Sequence, residues 1–351
     1  MKKIFIIISL LLISSSISFA QLKENFGSTV GGEFEKVGSS GSQFLKVGIG
    51  ARANGMAGAF GAVANDLSAL FYNPAGVSKL DDVSAMFSYT SWFANYNHNF
   101  AAVSVPLNDQ FKLAVNVVTF GVNDIPITTI NNPNGTGSTY NVSDFALGVT
   151  LAGRLTDQFN FGVTAKIIQN AFDDVDAMSF AFDIGTLYET GIYDIDLGFA
   201  ISNLGTEPTF AGAGLSANSQ LDLTGGRDDN TVSGNAPLET AVPAYPFSLP
   251  LVFRASISKK INIDDDNVIL LAGDFITNSD TPEQFIGGLE YSYKMLAFRA
   301  GYHYGNDQLG LAGGFGFNYD MQGFIGKIDY SINPTVSMGF VNRITVVLDM
   351  N

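Results

Sequence analysis

The chain of 351 residues contains no cysteine, one tryptophan and two histidines. Without cysteine it can form no disulfide, thiol nucleophile or zinc–thiolate site. Charged residues are also scarce, at 15% of the chain, whereas a typical soluble domain has about 25%. Acidic residues outnumber basic ones and the formal net charge is −15, which argues against a nucleic-acid partner because phosphate binding needs clustered Lys and Arg.

The N-terminus has the three parts of a cleaved secretory signal. Lys2 and Lys3 form a basic start, residues 4–13 form an apolar core, and Ser18–Ala20 places small residues where a signal peptidase cleaves. The apolar core is too short to span a bilayer, which takes about 20 residues, and this disfavours a retained anchor. We predict that residues 1–20 are removed, which takes away two lysines and changes the net charge from −15 to −17.

The rest of the sequence lacks any run of 18 apolar residues, the length typical of a membrane helix. It is nevertheless rich in apolar residues, at 46% overall, and it contains 29 Phe, 13 Tyr and 38 Gly. Inside a lipid bilayer every backbone polar group must be paired within the protein, and only helices and closed barrels achieve this. The composition therefore predicts an all-β transmembrane fold, an antiparallel outer-membrane β-barrel in contact with lipid.

Alternation of apolar with small or polar residues recurs along the chain with a period of two. Residues 159–167, for example, alternate Phe, Phe, Val, Ala and Ile with Asn, Gly, Thr and Lys. Such a segment suits a strand with one face to lipid and the other to a barrel interior. Fourteen segments of this kind predict about 14 strands, at 82–93, 97–106, 110–122, 142–154, 158–170, 177–189, 192–203, 247–260, 266–276, 283–293, 295–304, 307–319, 323–332 and 337–349.

The connections between these segments alternate between short and long. If the first strand starts on the periplasmic side, the periplasmic turns are short, and the two longest connections, 123–141 and 204–246, lie outside. Short inner turns and longer outer loops are typical of outer-membrane barrels. A soluble β-sandwich or β-solenoid would also alternate, but it would not need an aromatic outer row on nearly every strand.

Residues 21–80 do not alternate and are predicted to form an N-terminal plug or hatch, followed by a barrel over 81–351. Asn65-Asp66 before an apolar stretch predicts a short capped helix over residues 67–71, which Asn73-Pro74 would end. A barrel of fourteen strands has a lumen wider than its own side chains can fill. The N-terminal segment is therefore the natural candidate to fill it.

Three stretches, 50–60, 64–69 and 72–77, resemble the opening signature of the PorV/PorQ family of outer-membrane proteins. That family is similar to the FadL fatty-acid transporter barrels, which have fourteen strands and an N-terminal hatch. The resemblance departs at Ala57, where the family usually has glycine, and at Asn65, where it usually has aspartate. The signature residues, for which the resemblance implies a structural role in the plug, are Gly50, Arg52, Gly55, Met56, Gly58, Phe60, Asp66, Ser68, Asn73, Pro74 and Gly76.

The resemblance implies a role in type IX secretion, in which the barrel binds the C-terminal signal domains of secreted proteins and works with other components of that system. The apolar residues of the long loop 204–246 and its end are the expected contact surface: Phe210, Leu221, Leu223, Val242, Tyr245 and Phe247. A second hypothesis is FadL-like uptake of a hydrophobic small molecule, which would bind in the lumen. A third is a purely structural barrel of the bacterial outer membrane.

The sequence offers little catalytic or metal-binding chemistry. His98 and His303 are the only histidines, and no serine motif of an esterase accompanies them. Acidic runs at 173–176, 228–229 and 264–266 lack EF-hand spacing and are interpreted as solvated turns. We therefore expect no enzymatic activity, no cofactor and no metal.

Seven charged residues fall on the interior rows of predicted strands. Because unpaired charges in a narrow interior are costly, we expect them to pair with one another or with the plug. They are Lys112, Lys166, Arg254, Arg299, Lys327, Asp329 and Arg343.

Overall fold

The computed structural model describes residues 38–220, 237–306, 308–321 and 323–350. The predicted signal peptide at 1–20, most of the first half of the predicted plug, and Leu221 and Leu223 of the predicted contact loop lie outside these ranges.

Fourteen antiparallel strands form the wall of a closed barrel, as the sequence predicts, and three short strands, Ala211–Gly212, Ser216–Gln220 and Pro237–Ala241, lie in one of its connections. The wall strands are β1 Val83–Ser91, β2 Asn97–Pro106, β3 Phe111–Pro126, β4 Thr139–Arg154, β5 Phe159–Phe172, β6 Val175–Glu189, β7 Ile195–Gly205, β8 Val252–Asn262, β9 Asn267–Asn278, β10 Gln284–Tyr293, β11 Leu296–Tyr304, β12 Leu311–Met321, β13 Phe324–Pro334 and β14 Phe340–Met350. Each strand pairs with the next, and β1 pairs with β14 from Val83↔Met350 to Ser91↔Asn342. The first and last strands therefore close the barrel and leave no open edge in the wall.

The two faces of the wall differ as the alternation predicts. On β6, Phe180 and Phe182 are about half exposed on the outside, whereas Ala181 and Asp183 are buried inside. The same pattern recurs along the other strands, where most Phe, Tyr, Leu, Ile and Val face outward and the inward rows are mainly Ser, Thr, Asn, Ala, Gly and charged residues, with a few large apolar residues such as Phe100 and Ile168. The outer surface is therefore suited to lipid, and the interior has to be satisfied within the protein.

The two ends of the barrel carry different connections. One end has the connections 127–138 and 206–251, the longest in the chain, and is called the long-loop end here. The other end has only short turns, the longest being 190–194, and is called the short-turn end. The long connections fall at the same end, as predicted. That this end faces the outside of the cell stays a prediction.

Four strands begin three or more residues later than predicted, among them the twelfth, at Leu311 rather than 307, and the fourteenth, at Phe340 rather than 337. The seventh starts at Ile195 rather than 192, because Tyr193 and Asp194 have positive φ angles of 54° and 53° and form a turn. The eighth starts at Val252 rather than 247, because Pro250 has no N–H to donate to a strand ladder.

Residues 40–80 run through the barrel from the long-loop end to the start of β1 and are called the luminal segment. It contains a 3₁₀-helix at Gln43–Lys46, α1 at Ala51–Gly55, α2 at Ala69–Tyr72 and a second 3₁₀-helix at Pro74–Lys79. The main hydrophobic cluster joins its apolar side chains to inward-facing wall residues that include Met86, Phe100 and Val347. Among the described residues, no helix is long and apolar enough to cross a membrane.

The predicted short helix is present but shifted. It spans Ala69–Tyr72 instead of 67–71, and the Asp66 carboxylate accepts a hydrogen bond from the backbone N–H of Ser68 at 2.8 Å just before it begins. Asn73 ends the helix as predicted, and its side-chain oxygen then accepts from the N–H of Ala75 at 3.2 Å to cap the next helical turn.

The exposure pattern predicts that charge is tolerated far less on the wall than on the loops. Ile167 faces outward near the middle of β5, and Ile130 is fully exposed in the connection 127–138. In lipid vesicles, Ile167→Arg should lower the free energy of unfolding by about 2–4 kcal/mol, because an arginine would enter the apolar part of the bilayer. The control Ile130→Arg should change it by less than about 1 kcal/mol. Urea titration measures both, and equal losses would contradict a lipid-facing wall.

Candidate functional site

The luminal segment lies so close to the wall that only glycine fits at several wall positions. A Cβ atom added at Gly162, Gly185 or Gly301 would lie less than 3.0 Å from the segment. The obstructing atoms belong to Pro74 and its neighbours for the first two positions, and to the backbone of Met56 for the third. Similar contacts occur at Gly198 and Gly288. The inward-facing glycines thus shape the lumen to this segment.

Arg52 on α1 ties the luminal segment to the wall through a shared carboxylate. Its Nε and Nη2 atoms donate to the two oxygens of Glu290 on β10, both at 2.9 Å. Glu290 also accepts from Nε of Arg299 at 2.6 Å, and Arg299 donates to Asp329 at 2.6 Å. These buried charges alternate in sign, so that each cation has an anionic partner.

Within the segment, Arg52 also links α1 to the stretch before α2. Its Nη1 donates to Asn65 at 2.6 Å and to Asp66 at 3.1 Å, and its guanidinium lies 5.4 Å from the Phe60 ring centre. Burial lowers the pKa of Arg52, but the carboxylates of Glu290 and Asp66 more than reverse this and raise it above its ordinary value. Arg52 therefore stays charged, and asparagine at position 65 is a competent acceptor where the resembling family has aspartate.

A second charged pair holds the middle of the luminal segment. Arg254 on β8 forms an ion pair with Asp274 on β9 and donates to the carbonyl oxygen of Gly58 at 3.0 Å. Asp274 in turn accepts from the backbone N–H groups of Phe60 and Gly61, both at 3.2 Å. The wall pair thus satisfies backbone groups of a stretch that has no regular secondary structure.

The remaining signature residues fix the path of the segment itself. Gly50 has φ +74°, and a side chain there would collide with the Ser68 hydroxyl. Asn73 donates to the carbonyls of Gly61 at 2.8 Å and of Thr186 on β6 at 3.0 Å. Gly76 lies against the backbone of Ala64. All eleven signature residues therefore belong to one packed assembly between residues 50 and 76.

Tyr72 lies at the centre of this assembly. Its ring makes an edge contact with Phe60 at 5.6 Å between centres, and Arg254 lies over its other side at 5.1 Å. Its hydroxyl donates to the carbonyl of Ile49 at 3.2 Å. Burial raises the pKa of Tyr72 to about 12, against smaller opposing effects of Arg343 and Arg254, so the hydroxyl remains a donor at neutral pH.

Both ends of the luminal segment are held by ion pairs. At the long-loop end, Asp280 accepts from Gln43 at 2.7 Å and forms an ion pair with Lys46 at 2.9 Å. At the short-turn end, Lys79 lies 3.2 Å from Glu189 and 3.5 Å from Asp196. Contacts with the wall therefore extend along the whole length of the segment.

The predicted contact loop splits into packed and exposed parts. The rings of Phe210 and Phe247 stack with centres 5.4 Å apart, and Phe247 also lies against Gly41 of the luminal segment. Val242 and Tyr245 are exposed, with Tyr245 at 78%. Two of the four described residues are therefore packed on each other and two are exposed, and their role as a contact surface stays a prediction.

Sequence reasoning missed an aromatic group at the long-loop end, inside the mouth of the barrel. Trp92, Tyr96 and Phe120 are partly exposed and continue the inward-facing rows of β1, β2 and β3. The Phe120 ring stacks on Tyr96 at 5.0 Å, contacts Trp92 at 6.4 Å and lies 6.0 Å from the His98 ring. Trp92 and Phe120 already lie within the predicted strands 82–93 and 110–122, and extending the period-two pattern of the predicted strand 97–106 by one step would have added Tyr96.

Six of the seven interior charges have a charged partner. Besides the pairs above, Lys166 lies 2.8 Å from Asp183, Lys327 lies 2.7 Å from Asp349, and Lys112 lies 3.5 Å from Asp81. Arg343 is the exception, because no carboxylate in the described part of the chain forms an ion pair with it. Over the same residues, no group of three or more His, Asp and Glu side chains could hold a metal ion.

Three solved structures share this fold over nearly their whole length. The CymD monoaromatic hydrocarbon channel has a TM-score of 0.54 at 13% identity, over 87% of this chain and 98% of that one. The Ralstonia pickettii toluene transporter TbuX has 0.53 at 12%, over 87% and 99%. A Pseudomonas aeruginosa FadL homologue has 0.51 at 13%, over 86% and 97%. No protein-family model and no curated protein sequence matches the chain.

At 12–13% identity, these likenesses show the fold alone. The chain shares the fold of these three structures, a closed barrel of fourteen antiparallel strands, which confirms the predicted fold class. None of the three structures bears on the PorV/PorQ family or on secretion.

Because the luminal segment lies so close to the wall, we expect a glycine that contacts the segment to tolerate substitution by alanine far less than a glycine with open space around it. Gly301→Ala should lower the free energy of unfolding by about 1–3 kcal/mol, because the new Cβ meets the backbone of Met56, which cannot turn away. Gly287 on the neighbouring strand has open space around its Cα, so Gly287→Ala should be neutral or slightly stabilising. Urea unfolding in vesicles compares the two, and equal tolerance at both positions would rule out a lumen shaped to the segment.

Proposed function

We propose that this protein admits a hydrophobic small molecule across the bacterial outer membrane, with the luminal segment as the obstruction that shifts to open a path. The observation that carries the proposal is the inward-facing aromatic group of Trp92, Tyr96 and Phe120 at the long-loop end. An apolar, partly exposed surface inside the mouth of a barrel favours an apolar solute over water. The role is proposed to be one of binding and passage rather than catalysis.

The contacts of the luminal segment suit a movable obstruction. Much of its attachment consists of separate hydrogen bonds and ion pairs, such as those of Arg52 with Glu290 and of Lys46 with Asp280. Side chains of this kind can exchange partners with water or with one another as a segment moves. The segment reaches the wall from the long-loop end to the short-turn end, so a solute can pass only if part of it moves.

The comparisons support this choice among the hypotheses. Two of the three structures are named for what they carry, a monoaromatic hydrocarbon channel and a toluene transporter, and the third is a FadL homologue. We propose that this chain takes a solute of the same hydrophobic character. The outward rows of the wall would then contact outer-membrane lipid, with the long loops outside the cell.

The type IX hypothesis remains a prediction that no comparison supports. The exposed Val242 and Tyr245 fit a protein contact, but Phe247 is stacked on Phe210 and packed against Gly41. Capture of secreted proteins that share one C-terminal domain by the intact barrel would favour this role. Toluene uptake with no such capture would favour passage of a small molecule.

Uptake of radiolabelled toluene by cells that carry the full-length protein in their outer membrane tests the proposal. The initial rate at low toluene concentration should exceed that of cells without the protein. Phe120→Ser should lower the protein-dependent rate about fivefold, because a contact worth about 1 kcal/mol is lost at the mouth. Phe298→Ser makes the same change on the outer face of β11 and should leave the rate unchanged. Equal rates with and without the protein would refute the proposal.

A further inference from the structure

Four inward-facing wall residues form a continuous row across the seam where the barrel closes. Ser331 on β13 pairs in register with Arg343 on β14, Arg343 pairs with Thr90 on β1, and Thr90 pairs with His98 on β2. All four are buried, and Arg343 is the largest fully buried side chain in the described residues. Neighbouring strands are about 4.8 Å apart, so this polar row spans about 14 Å of the wall.

The polar row concentrates polar atoms that have no hydrogen-bond partner. They are Nε of Arg343, the hydroxyl oxygen of Ser331 and both ring nitrogens of His98. Ten buried side-chain atoms lack a partner over the described ranges, and four of them lie on this one row. Buried polar groups are normally hydrogen-bonded, so such a concentration calls for a specific cause.

The charge of Arg343 is also uncompensated. Its Nη1 donates to the side-chain oxygen of Asn333 at 2.6 Å, and its guanidinium carbon lies 5.7 Å from the ring centre of Trp92. Arg254 and Arg299, the other buried arginines, and the partly buried Arg52 each have a carboxylate partner. Burying a cation without an anion is costly, and the remaining chain offers Arg343 none within the described residues.

Each of the three residues with free groups on the row can donate a hydrogen bond, although His98 also has a ring nitrogen that accepts and the Ser331 hydroxyl can accept. The Nε–H of Arg343 and the hydroxyl of Ser331 are donors, and a neutral His98 has one N–H to donate. Donors beside an unpaired guanidinium match an anion, and the planar guanidinium matches a carboxylate in particular.

The surroundings of the row indicate what carries the carboxylate. The Trp92 ring covers the guanidinium of Arg343, and the Phe120 ring lies 6.0 Å from His98. Aromatic rings favour an aromatic partner by offset or edge contacts. We propose that Arg343, with the free hydroxyl of Ser331 beside it in the polar row, binds the carboxylate of a small aromatic acid whose ring lies among the aromatic side chains of the mouth. This inference rests on the proposed passage of hydrophobic solutes and specifies the class of solute.

Calorimetric titration of the purified full-length protein with 4-ethylbenzoate and with 4-ethylbenzamide tests the inference. The two probes have nearly the same shape, but only the first is charged. The acid should bind about tenfold more tightly than the amide, and Arg343→Gln should abolish that preference. Arg343→Lys keeps the charge and should keep part of the preference. Arg154→Gln, an exposed arginine in β4, removes the same charge elsewhere and should change nothing.

Tryptophan emission gives a second readout that needs no variant. Trp92 is the only tryptophan in the chain, and it lies over Arg343. In the wild-type protein, 4-ethylbenzoate should change its emission with saturation, at concentrations where the amide does not. This readout shows whether the acid binds beside Trp92 in preference to the amide, even if the Arg343 variants fail to fold.

Three results would overturn the inference: equal affinity for acid and amide, an acid preference that survives Arg343→Gln, or no binding of either probe. Octanoate that binds as tightly as 4-ethylbenzoate would overturn its aromatic part. Toluene uptake distinguishes a failure of the acid-binding inference from a failure of the proposed function. If uptake persists without an acid preference, only the inference is wrong, whereas loss of protein-dependent uptake removes the proposed function itself.

Discussion

The pairing of β1 with β14 is the constraint on which the rest of the structure depends. Nine consecutive residue pairs, from Val83↔Met350 to Ser91↔Asn342, join the two ends of the sheet. Because no water is available inside a bilayer, an unpaired strand edge there would leave a row of unsatisfied backbone groups. Closure removes that edge and also creates an interior, which must be filled and electrically balanced by the protein itself.

The luminal segment meets both requirements. Its apolar side chains pack on inward-facing wall residues, and wall glycines make room for its backbone. Its charges and those of the wall form alternating pairs, of which Arg52 with Glu290 is the most extensive. Among the described residues, Arg343 at the closing seam is a buried cation that this arrangement leaves without a carboxylate. The proposed ligand site follows from this unpaired cation, beside an aromatic mouth that is open to apolar solutes.

The wall could be predicted from the sequence because the alternation within each strand shows which residues face outward and which face inward. Residues 159–167 reveal a lipid-facing row without reference to any other strand. The interior could not be predicted in the same way, because its contacts join distant parts of the chain. Arg52 and Glu290 are 238 residues apart, and the isolation of Arg343 depends on the registers of β13, β14 and β1. Tyr96 was missed because it lies in a connection, where alternation was not sought, and the contacts of Trp92 and Phe120 with their neighbours depend on the pairing of the strands.

An engineered disulfide between the luminal segment and the wall tests the central claim, that this segment must move for a solute to pass. The hydroxyls of Ser40 and Ser279 lie 3.4 Å apart, and the chain has no other cysteine to interfere with the pair Ser40→Cys and Ser279→Cys. The control pair Thr150→Cys and Thr164→Cys joins two wall strands, whose hydroxyls are 2.7 Å apart. Oxidation should reduce toluene uptake to background only in the first pair, and reduction should restore it. Uptake at the wild-type rate through the locked protein would contradict the account.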